Sequence, residues 1–166
     1  MDTVSYVALR RLQSRYADIV TRRSWGELRE IFQPDCGLVL DLGDRRLSYR
    51  GPDEIGAFID GSIAQYSFFQ FVVLNTVMEI DDDVGRAASR IYMHELRVGR
   101  EDGRRSDAYG VYHDLFERDE TGIWWFADRL YSSFSRTAPA EAPEDQVVFP
   151  LVALDLKEVL EKGRLP

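Results

Sequence analysis

The chain has 166 residues, 45% of them hydrophobic and 30% charged, with a formal net charge of −8; this predicts one domain around a single core and excludes a broad phosphate-binding surface, so nucleic acid is not an expected partner. A single cysteine, Cys36, leaves no internal disulfide and no cysteine-rich metal signature, in keeping with a reducing compartment. The opening MDTVSYVALRRLQ interleaves charge with apolar residues and no apolar run reaches membrane-spanning length, so the expectation is a soluble, cytoplasmic protein without a signal peptide or membrane contact.

From Val4 to Val20 the apolar positions Val4, Ala8, Leu9, Leu12, Tyr16, Ile19 and Val20 recur at steps of three and four, which predicts an amphipathic helix with a basic outer side. In SWGELREIF, Ser24 and Glu27 have the S-x-x-E spacing of a helix start, and Pro34 ends that second helix. CGLVLDLGDRRLSY reads as two strands around a Gly43-Asp44 turn, and Gly51-Pro52-Asp53 opens a third, short helix with Ile55, Phe58 and Ile59 on its apolar side. The runs FFQFVVLNTVMEI, AASRIYMHELRV, AYGVYHDLFER and IWWFADRLYSSF, separated by DDDVG, GREDGRRSD and DETG, predict a meander of long antiparallel strands. Helices segregated from strands give the α+β class, a curved antiparallel sheet wrapped around helices in a cone with one closed apolar end. Residues 1–136 are expected to form this domain. In residues 137–166, TAPAEAPEDQ reads as a linker and VALDLKEVLEKG as a short helix packing over a cavity mouth, on the domain or on a neighbouring subunit.

Several stretches in this order resemble the SnoaL-like branch of the nuclear transport factor 2 superfamily. They are RYADIVTRRSWGELREIFQPDCGL, RGPDEIGAF, and GVYHDLFERDETGIWWFADR with its Gly-x-Tyr-x-Asp strand, acidic-Gly turn and Trp-x-Phe-x-x-Arg strand, covering about residues 5–135. The resemblance implies a cone-shaped, cystatin-like α+β barrel with a mostly apolar pocket, in a homodimer or homotrimer. It does not fix the reaction, because the fold hosts dehydratases, ketosteroid isomerases, polyketide cyclases, dehydrohalogenases and non-catalytic subunits.

In the family's dehydratases an Asp on the first helix orients a His on the strand after the third helix. The matching positions here are Thr21 and Phe71, neither of which can exchange a proton near neutral pH. Tyr16 matches a pocket tyrosine of that first helix, a donor to an oxygen that gains negative charge or simply part of the buried stripe. The acid that ketosteroid isomerases carry on the first strand falls on Leu40; Asp41, one residue out of phase, reaches the pocket only through a bulge. His94 falls near a second polar pocket position, with Glu95 in its place if the register slips by one, and strand alternation leaves both open.

Alternation separates His113 from Asp114, so that adjacent pair is not a dyad. Tyr112 and Asp114 share the face that the resemblance assigns to the pocket. Asp114 matches the protonated oxyanion-hole acid of ketosteroid isomerases, or else is a buried partner of Arg129. Arg129 in turn binds a substrate oxygen or only neutralises Asp114. Of Trp124 and Trp125 one walls the cavity, and Trp124 is taken as that one. No histidine pair, carboxylate cluster, Gly-rich phosphate loop or G-x-S-x-G elbow marks a metal, nucleotide or serine-hydrolase site. DDDVG could imitate a calcium loop and is read as a solvated turn.

The expected function is acid-base chemistry without cofactor or metal on a small hydrophobic, oxygenated cyclic substrate, by a lyase or isomerase. His94, or Glu95, moves the proton, Tyr16 and Asp114 stabilise negative charge, and Arg129, Tyr112, Phe71, Thr21, Asp41 and Trp124 contact the substrate. The alternative is a non-catalytic hydrophobic-ligand carrier or structural subunit of the same fold.

Overall fold

A computed structural model describes residues 3–166. Helix α1 (Thr3–Arg22) forms where the apolar spacing predicts it, but its buried stripe is Ser5, Leu9, Gln13, Tyr16, Ile19 and Val20, while Val4 is 74% exposed. Gln13 is tolerated inside because both ends of its amide are bonded. Nε2 donates to Ser89 Oγ at 3.1 Å, and Oε1 accepts from Thr76 Oγ1 and Arg10 Nη1, each at 3.2 Å. The expected second helix is a six-residue 3-10 turn, Trp25–Glu30, which Ser24 does not cap. Arg22 takes both capping groups: it donates to Ser24 Oγ at 2.6 Å and to the two Glu27 oxygens at 3.0 and 2.9 Å.

Strands β1 (Phe32–Asp41) and β2 (Arg46–Arg50) make the hairpin around Gly43-Asp44. Helix α2 (Pro52–Ile63) starts on Pro52 after Gly51, whose φ of 80° and 2.9 Å approach of a would-be Cβ to Pro34 O explain the glycine. The meander follows as β3 (Tyr66–Asp81), β4 (Arg86–Gly99), β5 (Arg105–Arg118) and β6 (Trp124–Thr137). The DDDVG stretch is the β3–β4 turn, where Asp81 Oδ1 accepts from Val84 N at 3.0 Å. Strand order is β2-β1-β6-β5-β4-β3, with β1 parallel to β6 and the other neighbours antiparallel. The sheet curves around the helices without closing into a barrel. Register shifts leave Leu74 unpaired in β3 and Ala127 and Phe134 unpaired in β6, and an unpaired residue kinks and twists its strand. The inner face and the helices share one core that includes Leu9, Ile19, Phe32, Phe116 and Phe126. Cys36 lies in it, its thiol pushed up to about 12, chiefly by burial. No described helix is long and apolar enough to cross a membrane.

A further strand, β7 (Gln146–Val148), starts on the last residue of the expected linker and pairs with β6. Beyond it α3 (Leu156–Lys162) is capped by Asp155, which accepts from Lys157 N and Glu158 N, and stops at left-handed Gly163. Its apolar stripe does not cover a cavity mouth. Leu156 and Val159 pack on Ala88 and Leu115, on the outer face of this chain's own sheet.

His113 belongs to that outer contact. Its Nε2 accepts from Leu154 N at 3.1 Å, and Arg90 Nη1 donates to Leu154 O at 3.1 Å. Burial, aided by Arg90, lowers the imidazole to about 4, so the fold keeps it neutral while the unfolded chain binds a proton below about 6.5. The unfolded state therefore holds more protons between pH 6.5 and 4, and stability falls as pH falls through that window, by about 2 kcal/mol at pH 4.5. Urea midpoints at pH 7.5 and 4.5 should show a smaller loss in His113→Gln than in the parent. Equal losses would remove His113 as the source.

Candidate functional site

Inside the cone is a cavity of about 240 Å³, the liquid volume of about eight waters. Its walls are mostly apolar: Val20 from α1, Leu38 and Leu40 from β1, Phe58, Ile59 and Ile63 from α2, Phe69 and Phe71 from β3. The polar groups that reach it are Tyr16, Tyr66, Glu95, Arg97, Tyr112 and Tyr131, with Arg45 and Ser62 at the exposed rim.

Alternation puts the two β4 candidates on opposite faces, and the cross-strand pairing decides which face is inside. Glu95 faces inward, paired across to Phe71 on β3 and Ala108 on β5. His94 faces outward, its ring stacked on Tyr109 at 4.2 Å and its Nε2 3.6 Å from Asp107. This corrects the expectation that His94 lines the pocket. Arg97, two residues on and on the same face, donates from Nε to Glu95 Oε2 at 3.1 Å and also from Nη2 to that oxygen. Among the described residues Glu95 Oε1 receives no hydrogen bond. Burial acts to lower the Arg97 guanidinium, but the Glu95 carboxylate outweighs it and holds it above its ordinary value. The guanidinium is thus kept charged.

Tyr16 and Tyr112 bring their hydroxyls together at the cavity wall, where burial raises both above the ordinary phenol value against the opposing pull of Arg129. Burial likewise raises Tyr131. All three remain neutral hydroxyls at physiological pH, able to donate to an oxygen that acquires charge.

Behind these rings lies the Asp114–Arg129 pair, which does not line the cavity. Arg129 Nε donates to Asp114 Oδ1 at 2.7 Å and Nη2 to Oδ2 at 3.3 Å, with both side chains no more than 1% exposed. The guanidinium carbon sits 4.0 Å from the Tyr16 ring centre, 4.3 Å from Tyr112 and 4.5 Å from Phe126. The pair acts on the cavity through the tyrosines it supports.

Of the remaining expected contacts, Phe71 lines the cavity and three residues do not. Asp41 points to the outer face and its Oδ1 accepts from Gly43 N at 3.0 Å inside the hairpin turn. No bulge brings it in, and Leu40 takes the pocket position. Trp124 is buried in the core under Arg118 at the far end of β6. Thr21 Oγ1 accepts from Phe71 N at 3.2 Å, so the two positions of the dehydratase dyad are adjacent but hold a backbone tether. Arg45, Tyr66, Arg97 and Tyr131 were not anticipated. Arg97 and Tyr131 were accessible by the same period-two count, being two residues beyond Glu95 and Arg129.

The Tyr131 ring has its position because of a glycine. A Cβ on Gly110, on the neighbouring strand β5 and diagonal to it, would lie 2.0 Å from Tyr131 Cε2 and 2.6 Å from its Cζ and hydroxyl oxygen. Gly110→Ala is expected to cost about 1–3 kcal/mol by overpacking. Adding Tyr131→Ala should relieve most of that cost in a double-mutant cycle, and strictly additive losses would show that the ring does not rest on Gly110.

A curved sheet whose inner face meets helices α1 and α2 around an apolar cavity with a few convergent polar groups defines a small α+β domain of the cone type. Residues 2–130 match the SnoaL-like domain family, and the chain belongs to that family. Among solved structures the chain is similar to hexachlorocyclohexane dehydrochlorinase LinA-type3 from Novosphingobium barchaimii LL02, with TM-score 0.71 and 19% identity over 84% of this chain and 92% of that one. It is also similar to an uncharacterized protein with a cystatin-like fold from Caulobacter vibrioides, with TM-score 0.62 and 18% identity over 77% and 88% of the two chains. ActVI-ORFA from Streptomyces coelicolor gives TM-score 0.64 and 14% identity over 79% and 98%. At these identities the likeness is one of fold. No curated protein matches the chain significantly in sequence.

Proposed function

We propose that the protein is a lyase or isomerase whose proton carrier is Glu95. The observation that carries this is a carboxylate held by Arg97 on one oxygen only, with the other oxygen open toward an apolar cavity that also contains neutral phenol donors. Oε1 of Glu95 removes a proton from a carbon of the substrate. The electron pair of that C–H bond then forms a C=C bond, either expelling a leaving group such as chloride or hydroxide from the next carbon or shifting a neighbouring double bond. Tyr16 and Tyr112 donate to the oxygen that gains charge where the substrate carries one. Asp114 and Arg129 hold those tyrosines in place. The dehydrochlorinase among the structural neighbours makes elimination the favoured variant.

A second reading, a non-catalytic carrier of a small hydrophobic ligand, draws on Thr21 and Phe71, which offer a backbone hydrogen bond where a proton-transfer pair would stand. Turnover separates the two. The parent protein is incubated in D₂O with chlorinated cyclohexanes and with cyclic β-hydroxy ketones, and products are followed by mass spectrometry. Loss of HCl or water, or deuterium uptake at carbon, is expected for at least one series. Binding without any of these changes would establish the carrier reading instead.

A further inference from the structure

The rim of the cavity carries a cation that the fold does not use. Arg45 lines the cavity from the β1–β2 turn and is exposed. Both acids of that hairpin are engaged elsewhere: Asp41 accepts from Gly43 N at 3.0 Å, and Asp44 pairs with Arg136 at 3.4 Å. Among the described residues no carboxylate lies within ion-pair distance of Arg45, whereas Arg97, deeper in, is matched by Glu95. Two guanidinium groups against one carboxylate leave the cavity with one excess positive charge, in a chain whose net charge is −8. Such a local reversal of sign, inside low-dielectric walls, concentrates field lines at the rim and favours an anion there over its neutral analogue.

We propose that the cavity selects a small cyclic carboxylate, bound ring-first against the apolar wall with its carboxylate on Arg45. Size points to one compact ring system, since about 240 Å³ is below the roughly 300–1,000 Å³ of sites that enclose drug-sized ligands. Charge points to a monoanion, because one unpaired guanidinium balances one negative charge; a dianionic phosphate would leave a charge uncovered in an acidic protein. A planar guanidinium and a carboxylate also match as a two-bond fork. The carboxylate is a handle remote from the reacting carbons, so its binding energy orients the ring toward Glu95. The proposal relies on the Glu95 reading only for what then happens at the ring.

The test is calorimetric binding of cyclohexanecarboxylate and of its neutral isostere cyclohexanecarboxamide at pH 7.5, to the parent, Arg45→Gln and Arg46→Gln. Arg46 supplies the control for net charge, being the adjacent exposed arginine that donates to Pro166 O at 3.1 Å instead of lining the cavity. The parent and Arg46→Gln should bind the acid at least about tenfold more tightly than the amide, and Arg45→Gln should lose that preference while keeping its affinity for the amide. Equal affinity for acid and amide in the parent, an unchanged preference in Arg45→Gln, or no binding of either compound would overturn the proposal. These outcomes do not depend on turnover: a Glu95 variant that failed to alter catalysis would sink the catalytic reading and leave the acid preference standing.

Discussion

Glu95→Gln is expected to lower kcat by about 10²–10⁴-fold, the usual contribution of a positioned general base, with KM changed only a few-fold. Glutamine has the same shape, and its amide oxygen still accepts from Arg97, so the cavity wall and its packing are conserved while the group that takes the proton is lost. The Glu95 and Arg97 side chains are only 20% and 19% exposed, so losing the carboxylate leaves Arg97 short of its counter-charge; the hydrogen bond that glutamine keeps limits the cost to about 1–3 kcal/mol. A fall of that size in kcat, measured on a variant that urea titration shows to be folded, identifies a chemical role. Glu95→Asp draws the carboxylate back by one methylene and should fall between the two, because proton transfer needs hydrogen-bond reach. His94→Gln is the complementary measurement: stacked on Tyr109 on the outer face, it should leave kcat within about twofold of the parent. Unchanged turnover in Glu95→Gln, or a collapse in His94→Gln, would refute the assignment.

How much of this could be read from the sequence depended on the range of the forces involved. The long strands and α1 follow from local periodicity, and the turns from Gly-Asp and Asp-Gly chemistry, so those elements were legible. The S-x-x-E spacing at Ser24 promised a cap that does not form, because Arg22 is close enough to draw off both of its polar groups. Period-two alternation predicted that His113 and Asp114 part company, and Asp114 does face inward while His113 lies under the C-terminal segment. For His94 and Glu95 the same rule left two registers, because a strand states which residues share a face and not which face is inside. Only the pairing of β4 with Phe71 on β3 and with Ala108 on β5 settles it. Arg45 was illegible for a different reason. Whether an arginine in a polar turn is paired depends on where Asp41 and Asp44 turn, and the partner that draws Asp44 away, Arg136, lies far along the chain in β6.

Arg129→Met is expected to destabilise the domain by about 3–5 kcal/mol at pH 7, because it strands a carboxylate that is fully buried. That is a large share of the ~5–15 kcal/mol available to a domain of ordinary stability. Burial already pushes the Asp114 carboxyl up from its ordinary value, and Arg129 opposes that rise without cancelling it; removing the guanidinium leaves burial unopposed. A carboxyl whose folded-state value lies above its unfolded one favours the fold most when protonated and loses that advantage as pH rises through the folded value. The variant should therefore lose less stability, relative to the parent, at pH 4.5 than at pH 7. Asp114→Leu combined with Arg129→Met removes both charges and should recover most of the loss, since an apolar pair of similar volume avoids the desolvation that the ion pair suffers. Recovered stability need not restore activity. The guanidinium carbon is 4.0 and 4.3 Å from the Tyr16 and Tyr112 ring centres, and a methionine there supplies neither the cation nor the planar surface that fixes them. The double variant should unfold near the parent's urea midpoint yet show a lowered kcat, with little change in KM for substrates held mainly by the apolar wall. A double variant as unstable as Arg129→Met would show that a stranded charge is not the cause of the loss, and one that is stable and fully active would show that the pair does not position the tyrosines.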